Sequence, residues 1–337
     1  MLDGPAAVSW VQAEEPTLSG PDAALVRPVA IATCDLDVAM LTGRYPAGGS
    51  HPFGHEGVVE VVETGDQVTG VAPGDLAVVP FQISCGACRP CQRGRTGNCT
   101  AHPPMSMYGL GEIGGLEWGG LLADLAAVPH ADAMLVRLPA GVDPLAVASA
   151  SDNIPDGWRT VGPHLADDPG AEVLVVGGDA GPHSIGLYAA GLAVALGSAR
   201  VTYLDQDPGR LAIAAALGAQ VIDGAPPRKA GAFPVTVDAS GTPEGLRCAL
   251  NSTAPDGTCT SPSIYLSDPA LPLFSMYSRC CTLHTGRAHA RPAIPLVLDL
   301  VAAGFNPSLV TSAIVPRNAA AGALAQPPMK LVIDCSS

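Results

Sequence analysis

The run Ala171–Gly178, AEVLVVGG, limits the possible folds more than any other stretch of the chain. It is continuously apolar, as expected of a parallel strand buried on both faces. A glycine-containing turn follows it, then a helical stretch, Ser184–Leu196. Next come a strand over Arg200–Asp205, a helix over Pro208–Leu217, strands over Gln220–Asp223 and Phe233–Ala239, and a helix over Gly241–Asn251. This β-α-β-α-β alternation specifies a doubly wound parallel sheet, a Rossmann arrangement. Only Gly224–Ala232 separates the last two strands, and it contains Pro226 and Pro227. That is too short for a crossover carrying a full helix, so a truncated or missing helix is expected there.

The rest of the chain reads differently. Ala24–Thr33 and Gly57–Thr64 are β-branched runs bounded by turn signals, and Ala72-Pro73-Gly74-Asp75 is a turn before the strand Leu76–Phe81. Short strands at this spacing suggest a barrel-like domain. A Gly-rich segment, Tyr108–Gly120, precedes strand-like alternation over Leu121–Val136. Beyond residue 285 the β-α alternation breaks, leaving a helix over Ile294–Ala303 and a last strand, Lys330–Asp334, expected to rejoin the N-terminal domain. A chain of 337 residues exceeds what one core usually holds. The expected division is a β-rich domain over 1–150, a nucleotide-binding domain over 151–288, and a C-terminal return over 289–337.

The charge excludes one class of partner. A net charge of −14 offers no basic face for a phosphate backbone, so no nucleic acid is expected. The N-terminus is acidic and lacks an apolar core, unlike a signal peptide, and Ser184–Leu196 is too short to span a bilayer. Ten cysteines without a secretory signal point to a reducing, cytoplasmic setting and to metal or thiol chemistry.

Four of those cysteines, Cys85, Cys88, Cys91 and Cys99, have the spacing C-x2-C-x2-C-x7-C. Four thiolates so close suit one tetrahedral zinc in a closed structural site, with disulfides or an iron–sulfur cluster as competing readings. Gly86, Gly94 and Gly97 supply permissive backbone for the loop. Cys34 and His55, with an acidic residue from elsewhere, can build a second zinc site with an open position. The turn after AEVLVVGG carries Gly178, Gly181 and Gly186 with Ser184 and Ile185 between, a stretched form of the phosphate-cradling fingerprint. Asp205 ends the next strand about twenty residues on, where a carboxylate binds a ribose hydroxyl and repels a 2′-phosphate. Arg210 follows in the same expected cofactor site. NAD(H) is therefore favoured over NADP(H).

In order, Cys34, Gly54-His55-Glu56, Val71–Asp75, the four-cysteine lobe and the strand–turn–helix at 171–197 resemble the zinc-dependent medium-chain dehydrogenase/reductases, the alcohol dehydrogenase family. The likeness covers nearly the full length and implies a GroES-like catalytic domain interrupted by a Rossmann domain, with the active site in the cleft between them. It implies that Cys34 and His55 are catalytic zinc ligands and that Glu56 lies beside the metal. Asp152 matches the third ligand, as in the subgroup that uses Asp there, and Asp37 matches a carboxylate that orients the ligand histidine. One position departs from the pattern: Leu36 stands where the family usually places a proton-relaying Ser or Thr, leaving Ser151, His51, Glu56 or water as alternative routes.

The implied activity is hydride transfer between NAD(H) and a small alcohol, aldehyde or ketone, with two zinc ions per chain, in a homo-oligomer (dimer or tetramer) away from membranes. Two rivals remain at this point. One is a reductase of activated C=C or C=N bonds with an altered metal site. The other is a non-catalytic nucleotide-binding or interaction protein on the same fold.

Overall fold

A computed structural model describes residues 1–46, 49–111 and 116–336. The chain divides into two units: Met1–Pro155 with Ala288–Ala302 and Thr311–Ser337, and Asp156–Arg287 with Ala303–Val310.

The first unit is built on a mostly antiparallel sheet. Its strand order is Ala313–Pro316, Leu331–Asp334, Ala24–Ala32, Glu56–Thr64, Leu76–Val79, Val136–Arg137. Ala24–Ala32 is central. One of its edges pairs along its length with Glu56–Thr64. The other is shared: Ala126–Val128 pairs with its start and Leu331–Asp334 with its end. The last strand thus returns to the N-terminal sheet, as its sequence suggests. Ile31, Val59, Val61, Ala77, Leu121 and Ile333 are among the buried side chains of this core. The alternation over Leu121–Val136 does not give one long strand. Only Ala126–Val128 and Val136–Arg137 pair, and a short helix, Ala131–Met134, lies between them. Pro129 removes a ladder donor after Val128, and Ala131 N–H instead donates to Asp22 O. Within the Gly-rich segment, residues 112–115 lie outside the described residues.

The second unit is a six-stranded sheet with every pairing parallel: Gln220–Asp223, Val201–Asp205, Val173–Val176, Phe233–Asp238, Thr253–Ser261, Thr282–Thr285. Val173, Leu174, Val175 and Val176 are fully buried, which explains the unbroken apolar run. Helices His183–Ala195, Pro208–Ala216 and Pro243–Ser252 connect or follow the strands. No helix forms between Gln220–Asp223 and Phe233–Asp238. The two strands missed by sequence, Thr253–Ser261 and Thr282–Thr285, are polar and carry Pro255 and Gly257 or an exposed edge, so neither shows the apolar signature. Among the described residues no helix is long and apolar enough to cross a membrane.

Candidate metal and cofactor sites

Strand register brings the first site together. Ala32 pairs with Glu56 on one side and with Val332 on the other, so three strands end or begin at one place. Just past those pairs lie Thr33 and Cys34, His55, and Lys330. Cys34 caps the helix Asp35–Leu41 in a capping box: its sulfur accepts from Leu36 N–H, and its own N–H donates to Asp37 Oδ2 at 2.9 Å. Gly54, which precedes His55, has φ +90°, and a Cβ there would lie 2.8 Å from Leu122 N, so only glycine allows this approach. Asp152 and Asn153 arrive from a separate turn. Ser151 pins that turn, accepting from Gly57 N–H at 2.8 Å and donating to Gly57 O at 3.0 Å.

Cys34, His55, Glu56 and Asp152 each offer one ligand atom within 4.8 Å of the others, and all four are buried. Asp152 Oδ2 is 3.3 Å from Cys34 Sγ and 3.5 Å from His55 Nε2. Tetrahedral zinc with ordinary bond lengths places sulfur–oxygen and nitrogen–oxygen ligand pairs about 3.5 and 3.3 Å apart. His55 Nε2 is buried with no hydrogen-bond partner, the state of a nitrogen kept for a metal. Asp37 Oδ1 lies 3.5 Å from His55 Nδ1, on the far side of the ring. The donor set fits zinc.

The electrostatics point the same way. Burial would lower the His55 pKa, but Asp37, then Asp152 and Glu56, outweigh it and push it up to about 9. Burial and the neighbouring Asp152, Glu56 and Asp37 push the Cys34 thiol well up. Burial raises Glu56 to about 7 despite the Lys330 ammonium beside it. Burial and mutual repulsion thus favour the protonated forms of Cys34 and Glu56, and a divalent cation would stabilise their ionised forms.

Sequence reasoning missed Lys330 and Asn153. Lys330 is fully buried, and its Nζ donates to Thr33 O at 2.5 Å, Asn153 Oδ1 at 2.7 Å and Glu56 Oε2 at 2.9 Å. Asn153 N–H donates to Glu56 Oε1 at 3.0 Å. The available signal was a lysine opening an otherwise apolar strand, KLVID, where a solvated end is the ordinary reading. Of the proton routes considered, Ser151 Oγ and both Glu56 oxygens are already engaged. His51 is buried, with Nδ1 bonded to Gly49 O.

Cys85, Cys88, Cys91 and Cys99 also converge within 4.8 Å, with Cys88 and Cys99 sulfurs 3.8 Å apart. Gly86 and Gly94 have φ +70° and +71°. Gly97 serves differently: a Cβ there would meet the Gln82 amide at 2.3 Å.

In the second unit the stretched glycine turn satisfies every close approach. A Cβ on Gly177 would lie 2.2 Å from Asp205 Oδ2, on Gly181 1.9 Å from Ala239 O, and on Gly186 2.8 Å from the Ala239 side chain. A Cβ on Gly178 would lie 3.1 Å from Ser240 O. Ser184 and Ile185 are buried in the first turn of the helix His183–Ala195. Asp205 ends its strand, and Arg210 grips it with two bonds, Nε to Oδ2 at 2.8 Å and Nη2 to Oδ1 at 2.7 Å. Tyr203 Oη and the N–H groups of Gln206 and Asp207 also donate to it. Burial would raise the Asp205 pKa, but these donors, Arg210 first, hold it below the usual carboxylate range.

Residues 20–140 match the alcohol dehydrogenase GroES-like domain. The chain is 32% identical over 313 residues to a Mycobacterium tuberculosis protein named as a probable zinc-binding alcohol dehydrogenase, covering 90% of this chain and 78% of the relative. It is 37% identical over 209 residues to the glutathione-independent formaldehyde dehydrogenase of Pseudomonas aeruginosa, covering 59% of this chain and 50% of that one. The alcohol dehydrogenase TADH from Thermus sp. ATN1 superposes with a TM-score of 0.84 at 27% identity, covering 99% of this chain and 98% of that one. A GroES-like sheet, a parallel nucleotide-binding sheet and buried zinc-type ligand sets define a zinc-dependent oxidoreductase. The chain belongs to the zinc-dependent medium-chain alcohol dehydrogenase family.

Proposed function

We propose that this chain transfers hydride between NAD(H) and a small primary alcohol or its aldehyde at the Cys34–His55–Asp152 centre. The carrying observation is that buried His55 Nε2, which makes no hydrogen bond, and Cys34 Sγ both lie at ligand spacing from Asp152 Oδ2. Bound there, zinc supplies Lewis-acid polarisation of the substrate oxygen. Asp37 orients the His55 ring, and the Asn153 N–H with Lys330 holds Glu56 beside the centre. Leu36 has no exchangeable side-chain proton, so the alcohol proton leaves by a route that does not use position 36. The four-cysteine lobe holds a second, structural zinc. The named relatives, an alcohol dehydrogenase and a formaldehyde dehydrogenase, support the substrate class.

NAD(H) is the preferred coenzyme because Asp205 presents a carboxylate at the end of its strand, beside the glycine turn. Arg210 partly neutralises it, which narrows the preference over NADP(H). The chain acts in the cytoplasm as a homo-oligomer. Leu273, Phe274 and Tyr277 on the helix Leu273–Arg279 are 64%, 85% and 83% exposed. Residues 258–279 carry only Asp268 and Arg279 as charges, in a chain of net charge −14, so two copies can meet there with least repulsion. Light scattering should show a multimer that Phe274→Glu with Tyr277→Glu reduces to a monomer; an unchanged mass removes that surface from the proposal.

The test of function is turnover coupled to NADH or NADPH on a panel of short primary alcohols and aldehydes. Wild type should turn over with NAD(H) and Cys34→Ser should not. Equal rates in both proteins would refute the assignment.

A further inference from the structure

We infer that Asn153 tunes the catalytic metal by donating its side-chain amide to the Cys34 sulfur, with Lys330 locking that amide in place; this rests on the zinc reading above. Asn153 Nδ2 lies 3.3 Å from Cys34 Sγ, and Lys330 Nζ lies 2.7 Å from Asn153 Oδ1. Lys330 has three N–H donors and no acceptor, so only the amide oxygen can face it. The NH₂ end must then face the sulfur, and the amide cannot flip without losing both bonds. Asn153 and Lys330 are fully buried, so both ends of the amide are shielded from bulk solvent. Leu36 N–H, 3.4 Å from the same sulfur, makes a second donor.

The charge around the centre gives this contact its consequence. Cys34 and Asp152 bring two negative ligand charges, and Glu56 and Asp37 stand next to them. Lys330 is the cation bonded into the group, through Glu56 and through the Asn153 amide. An ammonium on the oxygen polarises the amide and strengthens its N–H as a donor. An N–H bond to the sulfur draws charge away from it, so the thiolate gives less to the metal and leaves it a stronger Lewis acid. Asn153 is thus a positioning and tuning residue, acting through Cys34 and not on the substrate.

The test replaces zinc by cobalt(II) in the full-length protein and reads the thiolate-to-cobalt absorption. Subtracting the spectrum of Cys34→Ser from that of wild type isolates the Cys34 band from the four-cysteine site. Asn153→Asp keeps the size of the side chain and its acceptor for Lys330, but it removes the donor to sulfur. Its Cys34 band should move to longer wavelength, and kcat/KM with zinc should fall about 10–100-fold. Asn153→Ser, which also lacks the donor, serves if the Asp variant does not fold, and its band should move the same way. A band at the wild-type position in the folded variant overturns the inference while leaving the zinc assignment standing. Absence of any Cys34-dependent band in wild type overturns both.

Discussion

Replacing Lys330 by Met should be among the most damaging single changes in the first unit. The ammonium is fully buried and bonds to Thr33 O, Asn153 Oδ1 and Glu56 Oε2. Methionine has similar length but leaves Glu56 as a buried carboxylate without its counter-ion, and leaves two further oxygens short of a donor. Removing one partner of a buried ion pair costs about 3–5 kcal/mol. Against a typical domain stability of about 5–15 kcal/mol, that is a large share. Urea unfolding at fixed, saturating zinc measures the loss as a lower midpoint at unchanged slope. The cause is separated by a cycle with Glu56→Gln, which removes the orphaned charge. The double variant should recover stability relative to the sum of the single losses, with a coupling of about 2 kcal/mol or more. A loss under about 1 kcal/mol for Lys330→Met, or strict additivity in the cycle, would refute the reasoning.

Two other changes probe the scaffold. Gly181→Ala places a Cβ 1.9 Å from Ala239 O, so the turn must move off the neighbouring strand. NADH affinity, read by fluorescence titration, should fall at least about tenfold, because phosphate contacts depend on close backbone approach; unchanged affinity would show that the turn does not contact the cofactor. Asp75 accepts from Ala72 N–H at 2.8 Å and from Arg137 at 2.6 Å, and these bonds hold its pKa below the usual carboxylate value. A depressed carboxylate stabilises above its unfolded pKa and loses that contribution as pH falls through the folded one. The stability gap between wild type and Asp75→Asn should therefore be constant from about pH 7 to 5 and close below about pH 4; a gap that widens on acidification contradicts this.

Much of the fold was legible because its signals are local. The apolar run at Ala171–Gly178, the helix at Pro208 and the proline-bearing gap before Phe233 each follow from a few adjacent residues. The polar strand Thr253–Ser261 was not legible, since it is set by pairing with Phe233–Asp238 and not by its own pattern. Cys34, His55, Glu56 and Asp152 lie within reach of one ion, and so do the four cysteines. Lys330 and Asn153 were invisible for another reason. Their role comes from Leu331–Asp334 pairing with Ala24–Ala32 nearly three hundred residues earlier in the chain, a register no single-sequence pattern encodes. The glycine turn was half legible. Its glycines were recognised, but Gly177 was not singled out, because the added residues displace the usual spacing.

The central claim is that the chain holds a catalytic metal at Cys34, His55 and Asp152, distinct from the four-cysteine site. Metal content per chain, measured on wild type and Cys34→Ser after gel filtration in metal-free buffer, tests it most directly. About two zinc ions in wild type and about one in the variant are expected from the two ligand sets, with alcohol oxidation lost alongside the second ion. One zinc in both proteins would contradict the account.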